Sequence, residues 1–194
     1  MAEKGLAHNC GMTMLITGGA ASGKSALAEK LAAVANRGVL GYFATMQIGD
    51  EESAARVAKH RQMRSGKGFE TVECPFGFPD DRTLSQFDTV LLECISNLTA
   101  NVMFGADKSP RETVSFILKD VNQLCRIVRQ VVIVTNEVFS DGGDYDAFTR
   151  GYLSAMGTIN QKIARAADVV LESVCGIPVF YKGREVVSAY EALL

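Results

Sequence analysis

Short, nearly continuous apolar runs alternate with longer segments whose apolar positions recur at helical spacing. The runs "MTMLIT" (Met12–Thr17), "VLGYFAT" (Val39–Thr45), "DTVLLE" (Asp88–Glu93), "VVIVTN" (Val131–Asn136) and "DVVLES" (Asp168–Ser173) predict strands buried on both faces. Such strands belong to a mostly parallel sheet with helices on either side. Helices are predicted at about Lys24–Ala35, Glu51–Met63, Ser96–Phe104, Pro110–Arg129 and Asp146–Ala167. The end, "GIPVFYKGREV", reads as a short strand, a Lys-Gly turn and more extended chain, with a hairpin at the sheet edge as one form this could take. The least regular stretch is Ser65–Asp81, where Gly and Pro punctuate the strand-like "FETVE"; it reads either as a flexible cover for a ligand or as a plain connection.

The composition narrows the class. A chain of 194 residues, 47% hydrophobic and with formal net charge -2, can bury one full core and has no basic footprint for nucleic acid. The expected organisation is a flexible tail over residues 1–11 and a single domain over residues 12–194. No apolar run is long enough to span a bilayer, and the tail lacks a signal-peptide core. The five cysteines, Cys10, Cys74, Cys94, Cys125 and Cys175, are scattered and form no Cys-x-x-Cys pair, so they read as reduced core thiols of a cytoplasmic protein.

Chemistry enters with "GGAASGKS", residues Gly18 to Ser25. Gly18, four intervening residues, then Gly23-Lys24-Ser25 follow an apolar strand and open an Ala- and Leu-rich helix, the context of a phosphate-binding P-loop. The backbone N–H groups of Gly18, Gly19, Ala20, Ala21, Ser22 and Gly23 would cradle phosphates at a helix N-terminus. Lys24 would reach the β and γ phosphates, and Ser25 would offer a hydroxyl to Mg²⁺. Glu93, closing "DTVLLE", is the candidate second ligand of that cation, or else caps the following helix. Asn136 and Glu137 end a strand on the sheet edge where open α/β folds place ligands, and a plain turn role is the alternative.

A second feature is "DEESAARVAKHRQMR", Asp50 to Arg64. On a helix Arg56, His60 and Arg64, four apart, share one face, so a histidine lies between two guanidinium groups. Neighbouring cations favour a neutral imidazole, as a nucleophile requires, and the arginines suit the phosphate it would attack. A solvated basic face is the competing reading, and Lys59 is a second possible carrier of a nucleotidyl group. His8, the other histidine, falls in the tail.

In order, "LITGGAASGKSALAE", "FATMQIGDEESAARVAKHRQMR", "FETVECP", "VLLECISNLTANVMF", "VVIVTNEV" and "GTINQKIARAADVVLESVCGIPV" resemble the bifunctional adenosylcobinamide kinase/adenosylcobinamide-phosphate guanylyltransferase family of cobalamin biosynthesis. The resemblance spans about Met14 to Lys182. It implies a RecA-like P-loop NTPase fold, usually a homotrimer, using GTP and possibly ATP with Mg²⁺. It implies phosphorylation of the aminopropanol hydroxyl of adenosylcobinamide, then GMP transfer to adenosylcobinamide-phosphate through a covalent histidine. In the family pattern Arg-x-x-x-His-x-x-x-Arg that histidine falls on His60, with Arg56, Arg64 and Glu73 counted with the nucleotide-binding residues. The sequence departs from the pattern at Ala21, where Arg is usual, at Ser65, where Pro is usual, and in "FSDGGD" and Leu153-Ser154. Two other readings remain: a P-loop kinase of another small alcohol, and a nucleotide-binding module without catalysis.

Overall fold

The structure is a computed structural model that describes residues 11–47, 58, 66–139 and 143–188. The predicted helix at Glu51–Met63, with Arg56, Lys59, His60 and Arg64, lies outside the described residues except for Ala58, as do His8 and Cys10.

Seven strands form one sheet: β1 (Met12–Thr17), β2 (Leu40–Ala44), β3 (Phe69–Glu73), β4 (Thr89–Glu93), β5 (Gln130–Val134), β6 (Val169–Val174) and β7 (Ile177–Lys182). Their spatial order is β3-β2-β4-β5-β1-β6-β7, parallel throughout except for the antiparallel β6–β7 pair. The expected α/β architecture is therefore present, a RecA-like P-loop fold in which β5 lies between the phosphate-loop strand β1 and the acid-bearing strand β4. Parallel strands buried on both faces need no polar alternation, which is why β2, β4 and β5 are so uniformly apolar.

The helices are α1 (Lys24–Ala35), α2 (Asp81–Leu84), α3 (Ile95–Ala100), α4 (Pro110–Ile127), α5 (Ala147–Ala166) and α6 (Arg184–Val187). Helix α3 runs on into a π-helical turn, Asn101–Gly105. Alternate residues of the strands feed two cores. Met14, Ile16, Leu91, Val132 and Leu171 pack with Leu27, Ala28 and Leu31 of α1 on one face. Leu15, Phe43, Leu92 and Ile133 pack with Ile117, Val121 and Leu124 of α4 and Ile159 and Ile163 of α5 on the other. Helix α4 begins with a capping box: the Glu112 N–H donates to Ser109 Oγ, while the Ser109 N–H donates to Glu112 Oε2 at 3.0 Å, and Pro110 takes the first helical position.

The strand-like reading of "FETVE" holds, and two other expectations need correcting. "FETVE" is a regular strand, β3, paired in register with β2 from Leu40↔Phe69 to Ala44↔Glu73, and α2 follows it within the segment read as irregular. As an edge strand it keeps three exposed residues, Glu70, Thr71 and Glu73, which hid it among loop-like neighbours. The C-terminal hairpin pairs β6 with β7 around Cys175 and Gly176, and past Gly183 the chain turns helical in α6 instead of continuing extended. Cys74 and Cys94 are buried thiols and Cys125 is partly buried, but Cys175 is exposed, held in that turn at φ 51°. Among the described residues no helix is long and apolar enough to cross a membrane.

Candidate active site

Strand β1 delivers the loop Gly18–Gly23 to the N-terminus of α1 at the C-terminal edge of the sheet, the edge on which open α/β folds bind ligands. Gly18 and Gly23 are the positions where glycine is required. A Cβ on Gly18 would lie 2.8 Å from the Ser173 carbonyl oxygen, and one on Gly23, at φ 89°, would lie 3.1 Å from the Gly176 Cα. By contrast, a Cβ at Gly19 would meet no atom within 4 Å, so the loop presents open space at that point.

The loop is tied to its surroundings on two sides. The Glu137 N–H donates to the Gly18 carbonyl at 3.1 Å, which brings the end of β5 against the loop. From the end of β6 and the β6–β7 turn, Ser173 Oγ and the Gly176 N–H donate to the Ser22 carbonyl, at 2.7 and 2.8 Å. Ser173 is buried in its strand, yet its hydroxyl serves the loop. These contacts fix the loop backbone before any anion arrives.

Lys24 Nζ donates to the Gly19 carbonyl at 3.0 Å, folding the ammonium over its own loop. Burial pulls the Lys24 pKa below the usual lysine range, and the negative potential of Cys94 and Glu93 partly opposes that fall. Ser25 Oγ donates to Glu93 Oε1, and Tyr42 OH donates to Glu93 Oε2 at 3.0 Å. Hydroxyl and carboxylate oxygens together at the mouth of a phosphate loop are the donor set that Mg²⁺ prefers, so Ser25 and Glu93 would hold that ion.

Beyond Glu93 the polar contacts continue outward. Cys94 N–H donates to Thr45 Oγ1, and Thr45 Oγ1 donates to the Cys94 carbonyl, locking the ends of β2 and β4 together. Asn136 Nδ2 donates to Ser96 Oγ at 2.6 Å, and Tyr152 OH of α5 donates to the Ser96 carbonyl at 3.2 Å. Burial pushes the Tyr152 hydroxyl up to about 12, so it keeps its proton and remains a donor at neutral pH. Asn101 Nδ2 donates to the carbonyls of Thr45 and Pro75, holding the π-helical turn against the ends of β2 and β3.

Thus the structure gathers Gly18 to Ser25, Glu93, Asn136 and Glu137 at one place. Glu73 ends β3 in the same row, since Ala44 of β2 pairs with Glu73 on one side and Glu93 on the other. Two strand spacings separate these acids, roughly 10 Å. Sequence reasoning missed Tyr42, Thr45, Ser173 and Gly176. The first three are polar residues within or directly after apolar strands, a signal that was present, whereas Gly176 is marked only by its position in a hairpin turn.

The sequence model of the family described as "Cobinamide kinase / cobinamide phosphate guanyltransferase" matches residues 14–180. Relatives include the bifunctional adenosylcobalamin biosynthesis protein CobU of Escherichia coli, 35% identical, with 88% of this chain and 100% of that protein covered. The CobU of Salmonella typhimurium is 36% identical with the same coverage. The bifunctional adenosylcobalamin biosynthesis protein CobP of Pseudomonas aeruginosa is 32% identical over 89% of this chain and 98% of its own. Among solved structures, a KaiC-like protein from the hyperthermophilic archaeon Pyrococcus horikoshii aligns with TM-score 0.46 at 15% identity, covering 83% of this chain and 71% of that one. Flagellar accessory protein FlaH from Methanocaldococcus jannaschii aligns with TM-score 0.45 at 14% identity, covering 88% and 78%.

Proposed function

The chain belongs to the cobinamide kinase/cobinamide phosphate guanyltransferase family, and from that premise we propose how its residues share the two reactions. It phosphorylates adenosylcobinamide and then transfers GMP from GTP to adenosylcobinamide-phosphate, yielding adenosylcobinamide-GDP in cobalamin biosynthesis. The observation that carries this reading is the family match across residues 14–180, which takes in both the phosphate loop and the Arg56/His60/Arg64 segment.

In the kinase step the loop N–H groups and Lys24 hold the triphosphate of GTP or ATP, and the aminopropanol hydroxyl attacks the γ phosphorus, forming a P–O bond as the bond to the leaving nucleoside diphosphate breaks and the hydroxyl proton passes to solvent. Positioning and charge neutralisation supply the rate, as in other phosphoryl transfers. Ser25 and Glu93 would hold Mg²⁺, whose chemistry there would be to neutralise phosphate charge. In the nucleotidyl step a neutral His60 nitrogen attacks the α phosphorus of GTP, forming a P–N bond as the bond to the leaving pyrophosphate breaks. Arg56 and Arg64 steady the α phosphate, while Lys24 stabilises the leaving pyrophosphate. The phosphate of the acceptor then displaces GMP from His60. Glu73 belongs to the nucleotide-binding set in this scheme, supported by its position in the row that contains Glu93. A single domain over residues 12–194, a homotrimeric assembly and a cytoplasmic location complete the proposal.

Incubation with Mg²⁺ and GTP labelled on the α or the γ phosphate, followed by peptide mapping, tests it. The expected result is an α-label on His60, acid-labile and alkali-stable as a phosphoramidate is, absent from His60→Ala. An adduct that survives in His60→Ala, or maps to Lys59, removes His60 from the role. Transfer of the γ-label to another alcohol with no α-label supports the plain kinase reading instead.

A further inference from the structure

The exposed phenylalanines are unevenly placed. Among the described residues Phe76, Phe104, Phe139 and Phe148 are the phenylalanines with substantial solvent exposure, and all four lie in segments that leave the C-terminal edge of the sheet. Phe76 follows β3, Phe104 lies in the π-helical turn after β4, and Phe139 and Phe148 follow β5. Exposed aromatic rings collected on a ligand-binding edge point to a bound partner more than scattered apolar residues do.

Two of these rings build one surface with Tyr152. Phe104 and Phe148 stack with centroids 4.4 Å apart and planes 20° from parallel, and the Tyr152 ring packs on Phe104 at 5.8 Å. Phe104 is 40% and Phe148 63% exposed, so the stack has a free side. Phe76 borders it: a Cβ on Gly105 would lie 2.9 Å from the Phe76 ring. The surface is joined to the phosphate site by the contacts already described. Tyr152 donates to the carbonyl of Ser96, which stands two residues beyond Cys94, and Cys94 directly follows the Glu93 that accepts from Ser25.

We propose that Phe104, Phe148 and Tyr152 form the platform on which the corrinoid acceptor rests the apolar part of its macrocycle while its hydroxyl reaches the γ phosphate. This inference rests on the proposed function. The acceptor carries its hydroxyl on a short flexible arm attached to a ring far larger than the phosphate site. The body of such a molecule must therefore lie on protein surface outside the phosphate site, and among the described residues the stacked rings are an exposed apolar surface tied to the Glu93 segment through Ser96. Aromatic faces suit this occupant because they contact the peripheral methyl groups and hydrocarbon edge of the corrin at little cost in side-chain entropy.

Equilibrium dialysis of adenosylcobinamide, read by its visible absorbance, against wild-type protein, Phe148→Ala and Phe148→Tyr is the test. Phe148→Ala should weaken corrinoid binding about tenfold or more, and Phe148→Tyr should retain most of it. Formation of the α-label adduct from GTP without acceptor should be the same in all three. Equal corrinoid affinity in wild type and Phe148→Ala overturns the platform, as does a change of oligomeric mass in Phe148→Ala, which would make this face a contact between copies. A wild type that binds corrinoid on the platform yet forms no adduct leaves the platform standing and defeats the nucleotidyl step alone.

Discussion

Asp88 stands at the N-terminal edge of the sheet, opposite the phosphate loop, and holds several strand ends together. Arg129 Nε donates to its Oδ1 and Arg129 NH2 to its Oδ2, each at 2.6 Å, while the Arg37 N–H donates at 2.7 Å. The same Arg129 NH2 reaches the Ala35 carbonyl at the end of α1. A bidentate guanidinium contact is among the stronger pairings available to a partly exposed carboxylate. It holds the Asp88 carboxyl down to about 2, with Arg129 the largest cause. For a carboxyl whose folded pKa lies below its unfolded one, the stabilisation is complete above about pH 4 and fades as pH falls through that value towards 2. Asp88→Asn should therefore lower stability at neutral pH by roughly 1.5–3 kcal/mol, and the gap from wild type should close between about pH 4 and 2. Urea midpoints taken across that range check it, and a gap that stays constant with pH rules the pair out as its source. Because Asp88 lies at the far edge, α-label and γ-label transfer at neutral pH should be unchanged.

At the level of elements, legibility in the sequence followed burial. Strands β1, β2, β4 and β5 announce themselves by near-continuous apolar runs, β6 by the apolar start of "VVLESV", and α1, α4 and α5 by one apolar stripe. Strand β3 was half-hidden because an edge strand is free to carry Glu70, Thr71 and Glu73 outward, and α6 because four residues give no helical period. The loop motif was readable from spacing alone, yet the β6–β7 turn that supports it was not. Ser22 and Ser173 are separated by 151 positions, and nothing local to either marks the contact. That support predicts a consequence. Ser173→Ala removes one of the two donors to the Ser22 carbonyl while leaving the Gly176 N–H in place. The loop would then be less ordered before binding, and a lost hydrogen bond of about 1 kcal/mol corresponds to nucleotide affinity about fivefold weaker. Titration calorimetry with GTP measures it. An unchanged affinity together with a lowered melting temperature would confine Ser173 to holding β6 and β7 in place.

Across the whole molecule, the sheet order decides what can act together. With β5 between β1 and β4, the phosphate loop and Glu93 are spaced so that the start of α1 bridges them through Ser25, and the row Glu73, Ala44, Glu93, Val134, Ile16 runs level along the C-terminal edge. Both reactions of the family act on a nucleoside triphosphate, one at the γ and one at the α phosphorus, and the described residues contain one phosphate loop to hold it. The two steps must then draw on the same Lys24, and one lesion there should remove both. Lys24→Ala is expected to lower γ-label transfer to the corrinoid and α-label capture by the protein by at least about a hundredfold each. Loss of a single charge-stabilising group felt equally at two phosphorus atoms is the signature of a shared triphosphate pose. If Lys24→Ala abolishes γ-transfer but leaves the α-label intact, the nucleotidyl step uses a second triphosphate site, and the proposal that His60 attacks a triphosphate held by this loop is wrong.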